Sequence, residues 1–388
     1  MRRRVLAVTG SRAEYGSMRP VFGAIVAGGK LDLELVVTGM HLHPAFRDAF
    51  EEIRKDAFGR VHVVDMSPEA DSGKAMAQAV GRGILGFAEV LDQADADVVL
   101  LQGDRGEMLA AAVAAAHMNI PIVHMSGGDL TGTIDQPVRN AITQFAHVHL
   151  TTCADSSERL RQHGESGARI FEVGEPTLDV ILRQEFAGPE QIARDLGLDL
   201  SEPVVIATLH PVTTELAQAG AHMAALLNAL ERLRLQTVFT YPNTDAGGEV
   251  MREVLETRRD RKWLRIVPHL GSYRYLGLMR VASVMVGNSS SGITEAPSFG
   301  LPVVNIGTRQ YGRFRAANVV DVSDMTDDIV AGIRKAVEDP EFRALATACS
   351  CPYGDGRAGE RTADILARLK ISPALISKWI GTGENILD

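Results

Sequence analysis

Several short stretches combine residue types that can do chemistry. Gly103-Asp104-Arg105 sets a carboxylate beside a guanidinium where the apolar run Val98-Val99-Leu100-Leu101 ends. Such a pair is either a local ion pair or an acid/base carboxylate next to an anion-binding cation. A position at the end of a buried strand favours the second, because α/β proteins carry their ligands there. Arg12, in Thr9-Gly10-Ser11-Arg12, follows another apolar run and can reach a diphosphate or cap a helix. Asp135 opens a helical pattern and is equally suited to capping and to proton transfer. Arg139 lies one turn on, at the spacing of a simple pair with Asp135. His210 ends the run Val204 to Leu209. The stretch Gly287-Asn288-Ser289-Ser290-Ser291-Gly292 follows Val284-Met285-Val286 and precedes a helix-like segment ending near Gly300. Small residues let backbone approach a ligand, and the first N–H groups of a helix, with its dipole, face an oxyanion. The same stretch also fits an ordinary serine cap in a crossover. Glu295, one turn further, can complement the dipole or accept both hydroxyls of a ribose. Thr308 to Arg313 forms a second basic loop after a strand.

These residues need strand ends to hold them. Strands are expected at Val5–Gly10, Leu31–Thr38, Val61–Val64, Val98–Arg105, Ile120–Met125, His149–Thr152 and Ile170–Pro176. Helices are expected around Ser72–Gln93, Ala110–His117 and Asp135–His147. A polar stretch, Glu185–Pro203, reads as the linker. A second set of strands follows at Val204–Leu209, Thr237–Asn243, Leu264–Val267, Val281–Val286 and Leu301–Ile306, and a helix near Ala358–Leu369 closes the chain. Strand–helix alternation of this kind specifies parallel sheets. The expected architecture is therefore α/β, with two Rossmann-like domains at 1–175 and 176–365 and a tail, 366–388, able to pack back on the first. A cleft between such halves is a common small-molecule site.

Composition narrows the partners. The 388 residues are 45% hydrophobic and carry a net charge of −9, which disfavours a nucleic-acid partner. No apolar run reaches membrane-spanning length. Cys153, Cys349 and Cys351 cannot build a disulfide framework, and the last two lack companions for a metal, so a reduced, cytoplasmic protein without metal is expected. The turn after the first strand is not Gly-x-Gly-x-x-Gly, and no Gly-Lys-Ser or Gly-Lys-Thr loop occurs. Neither a nicotinamide cofactor nor a P-loop nucleotide is implied.

Taken in order, the loops resemble those of the hydrolysing UDP-N-acetylglucosamine 2-epimerases, above all the sialic-acid-pathway branch. The motifs are Thr9-Gly10-Ser11-Arg12-Ala13-Glu14-Tyr15-Gly16, Gly103-Asp104-Arg105, Gly127-Gly128, Gly132-Thr133-Ile134-Asp135, Arg139, His210-Pro211-Val212-Thr213-Thr214, Pro242-Asn243, Gly287 to Gly292, Glu295 and Asn305 to Arg313. The resemblance runs from Val5 to about Arg361. It implies a GT-B arrangement with the site in the interdomain cleft, a homodimer, and no cofactor. It gives catalytic roles to Asp104, Asp135 and His210. Ser289, Ser290 and Arg12 would hold the UDP phosphates, Glu295 the ribose, and Arg309 and the backbone near Leu270 the uracil. Asn243, Arg105 and Arg139 would contact UDP or sugar. The implied reaction eliminates UDP to a 2-acetamidoglucal, adds water at C1 and reprotonates C2 on the other face. Three departures fall on the sugar side. Ser126 stands where the family often has Glu or His, and would bond a water or a sugar hydroxyl. Gly106 replaces a usual Tyr and would enlarge that corner, and Asn140 replaces a His. The expected substrate is UDP-N-acetylglucosamine, released as free N-acetylmannosamine and UDP; because the departures cluster on the sugar side, a relative such as a UDP-linked 2,4-diacetamido-2,4,6-trideoxyhexose stays open beside it. The rivals are a non-hydrolysing 2-epimerase, a GT-B glycosyltransferase and a non-catalytic UDP-sugar binder.

Overall fold

The computed structural model describes residues 2–43, 47–70, 72–243, 245–378 and 385–388. Two parallel sheets organise the chain. The first is built from β1 (Arg3–Thr9), β2 (Leu31–Thr38), β3 (Arg60–Val64), β4 (Val98–Gln102), β5 (Ile122–Met125), β6 (Val148–Thr151) and β7 (Ile170–Glu172). Its order is β3-β2-β1-β4-β5-β6-β7. The second contains β8 (Val204–Thr208), β9 (Gln236–Thr240), β10 (Leu264–Val267), β11 (Val284–Gly287), β12 (Val303–Ile306) and β13 (Val319–Val322), in the order β10-β9-β8-β11-β12-β13. Every strand pair is parallel. Both sheets are buried on two faces, which is why β4, β8 and β11 read as unbroken apolar runs and not as alternations. The strand order reverses between β1 and β4 in one sheet and between β8 and β11 in the other. Ligands in doubly wound sheets bind outside the carboxyl ends at such reversals.

Each sheet anchors its own unit. The first comprises 1–129, 135–183 and 353–388; the second comprises 130–134 and 184–352. The expected boundary at 175/176 and the assignment of 353–365 to the second half are therefore corrected. The cause is local. The Asp179 carboxylate, in the helix Thr177–Leu182, accepts from the N–H groups of Ala358 and Gly359, both at 2.9 Å, and so caps the helix Ala358–Arg368. That helix lays Ile365 and Leu366 into the first core beside Val21, Phe22 and Ile25. The Arg3 guanidinium takes the carbonyls of Leu366 and Leu369 at its C-terminal end. Leu375 and Ile386 join the same core, while Trp379 lies outside the described residues. The polar stretch 185–203 also holds more than a linker. It contains the helix Pro189–Leu196, whose Ile192 is buried, with Gly277 packed close beside it.

The last long helix is thus part of the first core, and cutting Leu366 back should expose that dependence. Leu366→Ala is expected to cost about 3 kcal/mol, measured as the shift in urea midpoint; a shift near zero would place the helix outside the core.

Candidate active site

In the first unit the polar groups gather at the β1/β4 reversal. β1 ends at Thr9, Gly10 follows, and Ser11 caps the helix Arg12–Ala27. Ser11 and Glu14 form a capping box: the Ser11 hydroxyl takes the Glu14 N–H, and Glu14 Oε2 takes the N–H of Gly10 at 2.8 Å and of Ser11 at 3.0 Å. β4 ends in Gln102, and the helix Gly106–His117 starts after Arg105. Its first-turn carboxylate, Glu107, is 6% exposed and pairs with Arg105 at 3.4 Å. Glu107 fits there because two loops lack side chains. A Cβ on Gly10 would lie 3.0 Å from Glu107 Cγ, and one on Gly39 (φ +56°) would lie 2.3 Å from Glu107 Oε1. Glu14 keeps part of its surface, yet its carboxyl is pushed up to about 8 by burial and then by the charge of Glu107. Neither Glu14 nor Glu107 was singled out from sequence. The Ser-x-x-Glu spacing of a capping box was the available signal for Glu14.

Asp104 and Arg105 do not pair with each other. Asp104 meets the buried guanidinium of Arg139, whose Nη1 donates to the carbonyl of Asp129 at 2.6 Å. Arg139 therefore binds across to the β4 end and to the turn after β5, beyond the simple helical pair its spacing with Asp135 allowed. Asp135 is the first residue of the helix Asp135–Phe145. Asp129 is a structural carboxylate: Oδ1 accepts from Thr152 at 3.0 Å and from Ser156 at 2.6 Å. His124 is fully buried between the same parts. Its Nε2 lies 2.7 Å from the carbonyl of Gly103, and Thr143 Oγ1 lies 3.5 Å from Nδ1. Burial drives its pKa down to about 3, so it stays neutral and donates to the residue preceding Asp104. His41, 2.9 Å from Thr9 Oγ1, is held near 4 by burial and by Arg12.

The departures in the sugar region acquire definite surroundings. Ser126 is buried and left-handed, with φ +65° and its N–H on the carbonyl of Leu150 at 2.9 Å. A serine in that conformation costs roughly 1–2 kcal/mol. A Cβ on Gly106 would sit 3.0 Å from Val80 Cγ2, so a side chain there would start against a helix neighbour. Asn140 accepts from Gln136 at 3.1 Å.

In the second unit the groups gather at the β8/β11 reversal. His210 follows β8, and Asn288 follows β11. The two are locked by a reciprocal pair: the His210 N–H donates to Asn288 Oδ1 at 2.7 Å, and Asn288 Nδ2 donates to the His210 carbonyl at 2.9 Å. The Asn243 N–H donates to His210 Nδ1 at 3.0 Å. A neutral His210 then carries its proton on Nε2, ready to donate. The Asn288 carbonyl takes Arg309 Nη1 at 3.1 Å and Gln310 Nε2 at 3.0 Å. Asn243 also donates through Nδ2 to Asp245. Leu270 is buried at the start of the helix Gly271–Val281.

The serine loop differs from expectation. The helix that follows it is a single turn, Ser291–Thr294, and then a 3-10 turn, Ala296–Phe299, that opens on Pro297. A proline cannot supply the N–H that would continue the helix. Glu295 therefore caps the C-terminal end of that turn and does not sit inside a helix, and little macrodipole stands behind Ser289 and Ser290. Polar contacts remain. Tyr275 stands near Thr208, Ser289 and Ser291, and burial followed by the charge of Glu295 raises its pKa. Ser289 Oγ also accepts the Ser291 N–H at 3.4 Å. Sequence reasoning missed Tyr275; nothing local marks it.

Two doubly wound parallel sheets, each with titratable loops at its strand-order reversal, define a Rossmann-type α/β enzyme of two units. More narrowly, residues 24–367 match the family model for UDP-N-acetylglucosamine 2-epimerase, and the chain belongs to that family. A Legionella pneumophila relative, "UDP-N,N'-diacetylbacillosamine 2-epimerase (hydrolyzing)", is 38% identical over 97% of this chain and 99% of its own. A Campylobacter jejuni relative, "GDP/UDP-N,N'-diacetylbacillosamine 2-epimerase (hydrolyzing)", is 32% identical over 84% and 85%. The solved Neisseria meningitidis UDP-GlcNAc 2-epimerase bound to UDP-GlcNAc shares the fold, with a TM-score of 0.78, 18% identity and coverage of 94% of this chain and 99% of that one. Among the described residues no helix is long and apolar enough to cross a membrane, and no cluster of three or more His, Cys, Asp or Glu could hold a metal ion.

The Glu14 carboxyl sets a pH test. Its folded pKa, about 8, lies above the reference 4.5, so its contribution to stability is complete below 4.5 and is lost as pH rises through 8. Glu14→Gln removes that loss. Its urea midpoint relative to the parent should rise steadily from pH 6 to about pH 8 and level off above; a difference constant with pH would contradict the shift.

Proposed function

We propose that this chain hydrolyses a UDP-linked 2-acetamido sugar with inversion at C2, releasing UDP and a free mannosamine-type sugar. The observation that carries the reading is the near full-length match to a relative named as a hydrolysing UDP-diacetylbacillosamine 2-epimerase. The substrate favoured is accordingly the UDP-linked 2,4-diacetamido-2,4,6-trideoxyhexose, with UDP-N-acetylglucosamine as the second candidate. The product would feed nonulosonic, sialic-type acid synthesis, and the enzyme would work as a cytoplasmic homodimer without a metal or organic cofactor.

The roles follow from chemistry. A base must take the C2 proton as the C1–O bond to UDP breaks, giving the 2-acetamidoglucal. Water then adds at C1, and an acid returns a proton to C2 on the opposite face. Asp104, Asp135 and His210 are assigned to these transfers. Arg139 supports Asp104 in this scheme by fixing the carboxylate's direction, and His124 supports it through Gly103. The Nε2 proton of His210 suits it to donate. Ser289, Ser290, Arg12 and Arg105 are assigned to the departing diphosphate, whose developing charge needs donors held in place. Glu295 is assigned to the ribose, Arg309 and Leu270 to the uracil, and Asn243 and Ser126 to the sugar side. A glycosyltransferase would need an acceptor, and a non-hydrolysing epimerase would retain UDP on its product.

Purified protein given each UDP-sugar in turn, with no acceptor, should release UDP and free 2-epimerised sugar in equal amounts. Release from neither substrate would defeat the proposal. Asp104→Asn keeps an oxygen for Arg139 but removes the base, and should lower kcat by a factor on the order of 100 or more with UDP affinity largely kept; unchanged turnover would remove Asp104 from the mechanism.

A further inference from the structure

The segment 130–134 leaves the first unit after Asp129, joins the second, and returns at Asp135. Its attachment is specific. The Gly132 N–H donates to the Arg309 carbonyl at 2.7 Å, and the Ile134 N–H donates to Thr213 Oγ1 at 3.2 Å. These partners sit in the loops after β12 and β8. The fit against the first loop admits no side chain: a Cβ on Gly132 would lie 2.1 Å from the Thr308 carbonyl oxygen, a backbone atom. Leu130 closes on the same loop, since a Cβ on Gly312 would lie 3.0 Å from Leu130 Cδ1. The two loops are themselves joined, Thr308 Oγ1 donating to Glu215 at 2.8 Å. Arg309 leads on to Asn288, and Asn288 to His210. At the strap's other end, with no intervening residue, stands Asp135. Two residues later Pro137 fixes φ in the first turn of the helix.

We propose that residues 130–134 are a positioning strap: Gly132 and Thr213 bind it to the loops after β12 and β8, and so fix the direction in which Asp135 presents its carboxylate. Gly132 and Thr213 are positioning residues, and touch no reacting atom. The inference rests on the catalytic role proposed for Asp135. A displaced strap moves the residue next to it, Asp135, and so disturbs proton transfer more than nucleotide binding. A misplacement of about 1 Å at a catalytic group is enough to cost on the order of 100-fold in rate.

The test compares kcat with the dissociation constant for UDP in the full-length protein. Gly132→Ala must push the strap or the Thr308 carbonyl aside. It should lower kcat on the order of 10–100-fold while weakening UDP by less than about threefold, with the melting temperature monitored alongside. Thr213→Val removes the acceptor for Ile134 and should act in the same direction, whereas Thr213→Ser keeps the oxygen and should restore the parent kcat. This pair decides the matter if Gly132→Ala fails to fold. Parent kcat in a folded Gly132→Ala protein, equal losses of kcat and UDP affinity, or Thr213→Ser as impaired as Thr213→Val would each overturn the strap. Failure of the functional reading is separate and is seen first, as a parent enzyme that releases no UDP from either sugar.

Discussion

A guanidinium buried in the first unit needs a counter-charge and fixed acceptors, and much of that unit is arranged to supply them to Arg139. The Asp104 carboxylate comes from the end of β4, the Asp129 carbonyl from the turn after β5, and Arg139 itself from the helix that Asp135 opens. One side chain thereby sets three elements relative to each other. Thr152 and Ser156 in turn hold the Asp129 side chain. Breaking such a pair on one side leaves a buried charge uncompensated, typically at a cost of about 3–5 kcal/mol. The arrangement therefore trades freedom of Asp104 for direction, as the acid–base role proposed for it requires.

The second unit achieves rigidity with neutral groups. Asn288 satisfies both backbone groups of His210, and the Asn243 N–H fixes which ring nitrogen carries the proton. Around β1 and β4 the opposite holds: Glu14, Glu107, Arg105 and Asp104 crowd carboxylates and cations together, and the Glu14 proton is retained to about 8. A capping box alone does not require a second buried carboxylate beside it. Clusters of this kind concentrate at functional sites, because stability alone would remove them.

Much of this was legible in the residues. The strands Leu31–Thr38 and Leu264–Val267 were read with their observed limits: in the first, leucines alternate with Asp32 and Glu34 before Val36-Val37 and Gly39 ends the run, and in the second Pro268 ends a short run of Leu264, Ile266 and Val267. The strand ends at Gly10, Asp104, His210 and Asn288 followed from the same runs. What escaped depends on tertiary contact. The pairing of Asp104 with Arg139 spans 35 positions, and the local pairing with Arg105 was the natural expectation. β13, Val319-Val320-Asp321-Val322, is a four-residue edge strand, only partly buried, and so short a run was passed over. The return of 353–388 to the first core depends on a cap from Asp179, some 180 residues earlier. The helical segment from the serine loop to Gly300 is where the residues place it, but it is one α-turn followed by a 3-10 turn, because Pro297 cannot continue the α-helical ladder.

Elimination is the core of the account, and the C2 hydrogen reports on it directly. Turnover of the UDP-sugar in deuterated water, followed by NMR of the released sugar, should show solvent deuterium at C2 in every product molecule, because the original proton leaves before the new one arrives. Released sugar that keeps protium at C2 would contradict the account, whichever residues were held responsible.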